Sequence, residues 1–361
     1  MTSTPERPLP AGTTEAFADR LVGLLDGACT VLMASIGHQT GLFDTLAALD
    51  APATSAEVAE SAGLDERYVR EWLAAMTTSR IVEHDPATRT FTLPAAHAAC
   101  LTSAAGTDNL ARFAQYLPLV AEVEQPIIEC FRNGGGLSYA HYPRFHQIMG
   151  EDSAAVFDAA LVDAIVPVVP GLVERLEAGL DVADVGCGSG HAVNVLARAF
   201  PRSRITGFDF SEEAIGNGRA EAAAWGLENA RFEVCDVATL AEEQSFDLVT
   251  AFDSIHDQAH PAEVLRRVHQ ALRPGGTFLM VDMLASSNLE DNVEHPLGTF
   301  LYTVSTMHCM TVSLGLGGDG LGTAWGRQLA VSMLGDAGFT DVVVHEVEQD
   351  PFNYYYVATR P

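Results

Sequence analysis

An α/β fold, with a helical domain ahead of a mostly parallel sheet, is what this sequence predicts, and three observations predict it. The first is Asp181-Val182-Ala183-Asp184-Val185-Gly186-Cys187-Gly188-Ser189-Gly190-His191, a short apolar run closed by an acid and three alternating glycines. The second is the alternation, behind that stretch, of short apolar runs with helical patterns. The third is that the chain ahead of it has apolar residues chiefly at helical spacing.

Taken in order, residues 1–12 are Pro/Thr-rich and lack a basic region followed by an apolar one, so they read as disordered and not as a secretory signal. From Thr14 to Leu49, apolar positions recur at Phe17, Leu21, Leu24, Leu25, Val31, Leu32, Ile36, Leu42, Phe43 and Leu46, which predicts consecutive helices. Ser55 is the expected N-cap of the next helix and Gly63 its end, and a further helix runs from Asp65 to Thr77. Ile81 to His84 and Thr90 to Leu93, on either side of Asp85-Pro86, read as a hairpin. Helix, turn, helix and hairpin make a winged helix, and a first domain is expected over 1–95.

Such a domain binds DNA or serves dimerisation. Between 51 and 95 there are four Arg (67, 70, 80, 89) and seven acids (Glu57, Glu60, Asp65, Glu66, Glu71, Glu83, Asp85). A DNA-binding face is basic, so dimerisation is the expectation.

Residues 96–175 read as a mainly helical linker. Within it, three glycines after Asn133 precede Leu137-Ser138-Tyr139-Ala140-His141-Tyr142-Pro143-Arg144-Phe145-His146. An aromatic and His-rich loop in this place either covers a bound substrate, through Tyr139, Tyr142 and His146, or packs as an interdomain connector.

The third segment, 176–361, opens with the glycine turn. Its glycines let the backbone bend sharply and leave amide N–H groups of the following helix free for a polar ligand. A nucleoside is the expected occupant. The dinucleotide pattern G-x-G-x-x-G is not met, because the turn reads G-x-G-x-G and position 191 is His; this favours S-adenosylmethionine, which has no pyrophosphate. Arg204 to Asp209 is a second strand, and Asp209, 19 residues after Gly190, is placed to accept the ribose hydroxyls. Ala230 to Val234 is a third, with Asp236 expected at the adenine amino group. Phe246 to Phe252 is a fourth, and a helix containing Val264 to Val268 leads through Arg273-Pro274-Gly275-Gly276 to a fifth, Thr277 to Val281. Phe210, Val237 and Phe252, beside these strand ends, join Asp184, Gly186, Gly188 and Gly190 as expected cofactor contacts.

With those motifs in that order, residues 176–361 resemble the class I S-adenosylmethionine-dependent methyltransferases. The resemblance implies a seven-stranded Rossmann-like sheet with helices on both faces and a reversed last strand, for which Asp341 to Val347 and Phe352 to Thr359 supply the closing pair. The whole arrangement is similar to small-molecule methyltransferases with a winged-helix dimerisation domain, among them actinobacterial proteins of unassigned substrate, and implies a homodimer.

Methyl transfer from a sulfonium requires alignment of the acceptor and, for a hydroxyl, removal of its proton. His256, after the fourth strand, is the candidate base. Ser254-Ile255-His256-Asp257 resembles the stretch in which small-molecule O-methyltransferases carry a catalytic His followed by Asp or Asn, with Gln258 where those enzymes usually have Trp. The segment 284–327 reads as an insertion roofing the substrate pocket, with Tyr302, His308 and Cys309 as candidate contacts. His256 and His260 have the spacing of two zinc ligands, but Asp257 stands where that signature has Glu and Pro261 follows directly, so no metal is expected. Cys187 reads as a small packed residue.

Composition narrows the classes further. The 48 acids and 20 basic residues, all Arg, give a net charge of −28, which repels nucleic acid and anionic lipid as a whole and excludes Schiff-base chemistry on lysine. The six cysteines show no C-x-x-C spacing. No apolar run reaches the roughly 18 residues needed to span a bilayer, and the protein is expected to be cytoplasmic. Two other functions fit the same residues: a winged-helix regulator that senses a ligand, and an enzyme of this fold that binds S-adenosylmethionine without transferring its methyl.

Overall fold

The computed structural model describes residues 12–361, so the reading made for residues 1–11 lies outside the described residues. The chain divides into two compact units, one ending at Ala121 and the other running Glu122–Pro361. Their boundary falls inside the segment 96–175 that the sequence reading set apart.

The first unit is built from α1 (Thr14–Gln39), α2 (Leu42–Ala48), α3 (Ser55–Ala62), α4 (Glu66–Thr78) and a hairpin of β1 (Glu83–Asp85) and β2 (Thr90–Thr92). The N-cap of α3 is Thr54, one residue before the expected Ser55. Thr54 and Glu57 close a reciprocal capping box, while Ser55 donates its hydroxyl to Glu66. Gly63 ends the helix in the left-handed conformation. Phe43, Val58, Val69, Trp72, Leu73 and Met76 form the core. The C-terminal turns of α1 pack closely on it: a Cβ at Gly37 would stand 2.5 Å from the Trp72 ring, whose indole N–H donates to the Met33 carbonyl at 2.8 Å.

One expectation is corrected here. The 26-residue α1 is long and apolar enough to cross a membrane. Its charges cluster toward the start, and from Leu21 to Gly37 Asp26 is the only charged residue.

The second unit is organised on a seven-stranded sheet of order β5-β4-β3-β6-β7-β9-β8. Its strands are β3 (Asp181–Val185), β4 (Arg204–Asp209), β5 (Ala230–Val234), β6 (Phe246–Phe252), β7 (Leu272–Met283), β8 (Thr340–Val347) and β9 (Asp350–Thr359). The first five pair in parallel, and β9 pairs antiparallel with both β7 and β8. Successive residues of a strand point to opposite faces, and both faces are covered. Val182, Leu248, Leu279 and Tyr355 pack with helix residues such as Val193 and Leu196 on one side. Ala183, Val249, Phe278 and Tyr356 pack with Val264, Leu265 and Val268 on the other. Burial on both faces explains why these strands read as continuous apolar runs. β7 begins at Leu272, earlier than expected, because the register breaks between the pairs Phe246/Leu272 and Leu248/Thr277 and the Arg-Pro-Gly-Gly segment loops out within the ladder.

Candidate functional site

β4 follows β3 on one side of it and β6 lies on the other. Chains leaving two such neighbours diverge to opposite faces, and a crevice opens at their carboxyl ends. The cavity found there is lined by Asp184 and Gly186–Gly190 after β3, by Asp209 and Phe210 after β4, and by Phe252, Asp253, Ser254, Asp257 and Gln258 after β6. A further wall comes from the helix Phe145–Ala160 and the loop before it, through Tyr139, Phe145, His146, Met149 and Phe157.

The glycine turn is shaped by packing on one side and left open on the other. A Cβ at Gly186 would stand 2.5 Å from that of Ser254, and one at Gly190 would stand 2.2 Å from the Phe232 ring. Gly188, between them, has nothing within 4 Å and donates its N–H to Asp209 Oδ2 at 2.9 Å. The other oxygen of Asp209 accepts from the Ser211 N–H at 2.8 Å. Asp209 thus ties the end of β4 to the turn after β3, and each carboxylate oxygen keeps a lone pair for ligand hydroxyls.

Four carboxyl groups share this cavity: Asp184, Asp209, Asp253 and Asp257. Burial pushes Asp184 up to about 7, against the pull of the Thr250 hydroxyl that donates to it at 2.7 Å. Asp253 lies well above the usual carboxylate range, through enclosure first and then repulsion from Asp282 and Asp350; it also holds a left-handed φ of 50°, rare for a residue with a side chain. Asp257 is raised by enclosure, although it accepts the Tyr139 hydroxyl at 2.6 Å. Of the basic groups at the wall, His191 is already held between Glu221 (2.8 Å) and Asp158 (3.1 Å). Such a cavity favours a cation, whose charge would release the protons that enclosure retains.

Beside the cavity, His256 is buried and absent from the lining. Its Nδ1 is bonded to Asp282 Oδ1 at 2.9 Å, and Cys309 also hydrogen-bonds the ring. Burial alone lowers the imidazolium's pKa, but Asp282 and Cys309 outweigh it and raise His256 well above its ordinary value. Asp282 is an acceptor, so Nδ1 carries the proton and Nε2 is the basic nitrogen. His308, Tyr142 and Cys309 are buried in the same region. Tyr142 donates its hydroxyl to the Met307 carbonyl, and its ring meets that of His308 edge-on at 4.6 Å.

The structure therefore brings Asp184, Gly186, Gly188, Gly190, Asp209, Phe210, Phe252, Asp257, Tyr139 and His146 to one cavity. It does not bring Asp236, Val237 or Tyr302 there. Asp236 is exposed and accepts the Ala238 N–H at 2.9 Å, capping a short turn that buries Val237 in the core. Tyr302 lies in the helix Gly298–Val304 and accepts from Asn292 at 3.0 Å. Sequence reasoning missed Asp282 and Asp253. An acid at the end of the fifth strand, aligned with the acids that end β3 and β4, was the available signal for Asp282.

Residues 28–103 match the family described as Rv2258c-like winged HTH domain, and residues 176–310 match the methyltransferase domain family. A curated relative, trans-aconitate 2-methyltransferase of Variovorax paradoxus (strain S110), is 31% identical over 125 residues, which are 34% of this chain and 44% of that protein. The chain thus spans less than half the length of that relative. Among solved structures, human N-acetylserotonin methyltransferase in complex with S-adenosylmethionine superposes with a TM-score of 0.70 at 17% identity, covering 97% of this chain and 99% of that one. Mitomycin 7-O-methyltransferase MmcR superposes with a TM-score of 0.70 at 17% identity, covering 96% and 98%. At such identity the likeness is one of fold. The chain therefore joins an Rv2258c-like winged helix-turn-helix domain to a methyltransferase domain with a Rossmann-like seven-stranded sheet.

Proposed function

We propose that this protein transfers a methyl group from S-adenosylmethionine to a hydroxyl oxygen of a small molecule, as a cytoplasmic homodimer. The observation that carries the reading is the carboxylate-lined cavity at the glycine turn, which suits a ligand bearing a sulfonium and an ammonium and opposes an anionic dinucleotide. The open side of Gly188 and the oxygens of Asp209 fit a nucleoside ribose. Asp184, Gly186, Gly190, Phe210 and Phe252 would hold the rest of the cofactor.

When bound, S-adenosylmethionine supplies an electrophilic methyl on sulfur. The chain's own part is to orient the acceptor, exclude water with the aromatic wall of Tyr139, Phe145 and His146, and take the hydroxyl proton at His256 Nε2. Asp282 keeps the ring in the matching tautomer and stabilises the imidazolium that forms. Asp257, next along the chain, orients Tyr139 on the cavity wall. The names N-acetylserotonin methyltransferase and mitomycin 7-O-methyltransferase, borne by structures of like fold, point to small-molecule acceptors.

Two features support dimerisation over DNA binding in the first unit. Arg67 and Arg70, on α4, are paired with Glu71 and Glu66, which leaves that helix without the free positive charge that phosphates require. And α1 exposes Phe17, Leu21, Val22, Leu24 and Leu25, an apolar surface suited to a second copy.

Calorimetric titration with S-adenosylmethionine, S-adenosylhomocysteine and NAD tests the cofactor. Binding of the first two alone is expected, and binding of NAD alone would overturn it. Mass spectrometry of acceptors incubated with S-adenosylmethionine then separates methyl transfer, a gain of one methyl, from an enzyme of this fold that does other chemistry.

A further inference from the structure

Of the four carboxyl groups that border the cavity, three are held by hydrogen-bond donors: Asp184 by Thr250, Asp209 by the Gly188 and Ser211 N–H groups, and Asp257 by Tyr139. Asp253 differs, for its Oδ1 is enclosed and has no hydrogen-bond partner. Its backbone keeps the left-handed φ of 50°, a strained conformation that persists only where the surroundings impose it and that clusters at functional sites. The Asp253 N–H donates to the Val281 carbonyl at 3.0 Å, which fixes the residue beside the end of β7. Titratable groups face it from every side. Asp282 on β7, Asp350 on β9 and Asp152 on the helix Phe145–Ala160 repel its charge, while His256, three positions along, favours it. The Tyr355 hydroxyl, which donates to Asp350, adjoins it too, and Asp184, Asp209 and Asp257 share its cavity. Enclosure first, and then these repulsions, keep Asp253 protonated at neutral pH when the cavity holds no cation. A positive charge placed in the cavity reverses that balance, and its loss restores it.

We propose that Asp253 is a proton store matched to the charge of the cofactor: it gives up its proton when the sulfonium enters the cavity and regains one when methyl transfer leaves a neutral thioether. The reacting methyl must lie toward the segment after β6, because that segment carries both Asp253, on the cavity wall, and His256, the base. In the transfer, an electron pair of the acceptor oxygen forms the bond to the methyl carbon, and the pair of the broken sulfur–carbon bond stays on sulfur. The hydroxyl proton, taken by His256, passes to Asp253. The proton of the reaction then reaches solvent when the next cofactor binds, and the buried base is restored while the site is still closed. This rests on the methyl-transfer reading, and the test separates the two.

The test counts protons and needs no acceptor. Calorimetric titration of the full chain at about pH 7.5, in two buffers of different ionisation enthalpy, gives the protons released as S-adenosylmethionine or S-adenosylhomocysteine binds. A parent that binds neither counts against the methyl-transfer reading itself, and the proposal falls with it. With both bound, the parent is expected to release about one proton more with S-adenosylmethionine than with S-adenosylhomocysteine, because the two differ in the sulfonium charge. Asp184 and Asp257 are also raised, so the variants assign the proton. Asp253→Asn keeps the shape of the neutral acid and tolerates the left-handed backbone. It is expected to release equal numbers of protons with the two ligands. Asp253→Gly, which adopts the same φ without a carboxyl group, is expected to do likewise and repeats the test should the amide disturb the turn. Equal release with both ligands in the parent overturns the proposal. So does an excess with S-adenosylmethionine that survives in the variants.

Discussion

The imidazole of His256 and the carboxylate of Asp282, 26 positions apart in the chain, share a 2.9 Å hydrogen bond in the interior of the second unit. Asp282 also accepts the Met283 N–H at 2.9 Å, so its orientation is set by the end of β7 and not by the ring it serves. Asp282→Asn is expected to leave S-adenosylhomocysteine binding unchanged and to lower kcat by about 10²–10³-fold, because the amide no longer favours the proton on Nδ1. The acid limb of the pH profile is expected to move to lower pH, since the carboxylate that raises His256 is gone. His256 contributes stability that is present below its unfolded pKa, near 6.5, and lost as pH rises through its higher folded pKa. Asp282→Asn removes that contribution. Parent-like kcat in the variant would leave His256 without its assigned role.

Asp184 gives a stability signature of its own. Its folded pKa of about 7 stands above an unfolded value near 3.9, so the free energy that favours the folded state is full below about pH 4 and falls as pH rises through 7. The size of the fall is about 4 kcal/mol for this group alone. Asp184→Asn keeps an oxygen for the Thr250 hydroxyl and cannot ionise. Its urea midpoint without ligands is expected to exceed the parent's at pH 8, with the advantage vanishing toward pH 4. A parent advantage at pH 8 would mean that the folded protein does not raise the pKa of Asp184.

Much of this is legible in the amino-acid sequence. The strands β3, β4, β6 and β7 are legible because they are buried on both faces, and Asp209 because it ends a strand within ribose-binding reach of the glycine turn. What stayed hidden was hidden for local physical reasons. Asp236 was expected at a cofactor but is taken by the cap of its own turn, since short acids compete for nearby N–H groups. Asp282 and His256 meet only because β7 lies beside β6 in the sheet. The π-type turn that carries His308 and Cys309 leaves no periodic trace, and the apolar length of α1 was obscured by charges near its start.

Asp209 is expected to matter twice, once to the ligand and once to the turn. Asp209→Ala removes acceptors from the Gly188 and Ser211 N–H groups as well as from a ribose, and S-adenosylhomocysteine binding is expected to weaken by about 1–3 kcal/mol. Asp209→Asn keeps one acceptor oxygen and is expected to fall between the two. Calorimetry that shows parent affinity in the alanine variant would remove Asp209 from the ribose role.

The last prediction concerns α1, whose first four turns bury no residue within the described structure. A helix of that length is marginal in water on its own, and stability normally comes from packing an apolar face. Phe17 is 57% exposed and Leu25 62%, and with Leu21 and Leu24 they recur at the three- and four-residue spacing that places side chains on one face. A second chain, packed along that face, is the partner that the proposed homodimer supplies. A membrane would accept the same residues, but Asp19, Arg20 and Asp26 lie among them and are costly to bury in hydrocarbon. Leu21→Glu combined with Leu25→Glu is expected to convert a dimer into a monomer, read as a halved molar mass by light scattering, while the second unit still binds S-adenosylhomocysteine. A parent that is monomeric at micromolar concentration and binds vesicles would assign the face to lipid instead. A double variant that remains dimeric would place the interface elsewhere on the chain.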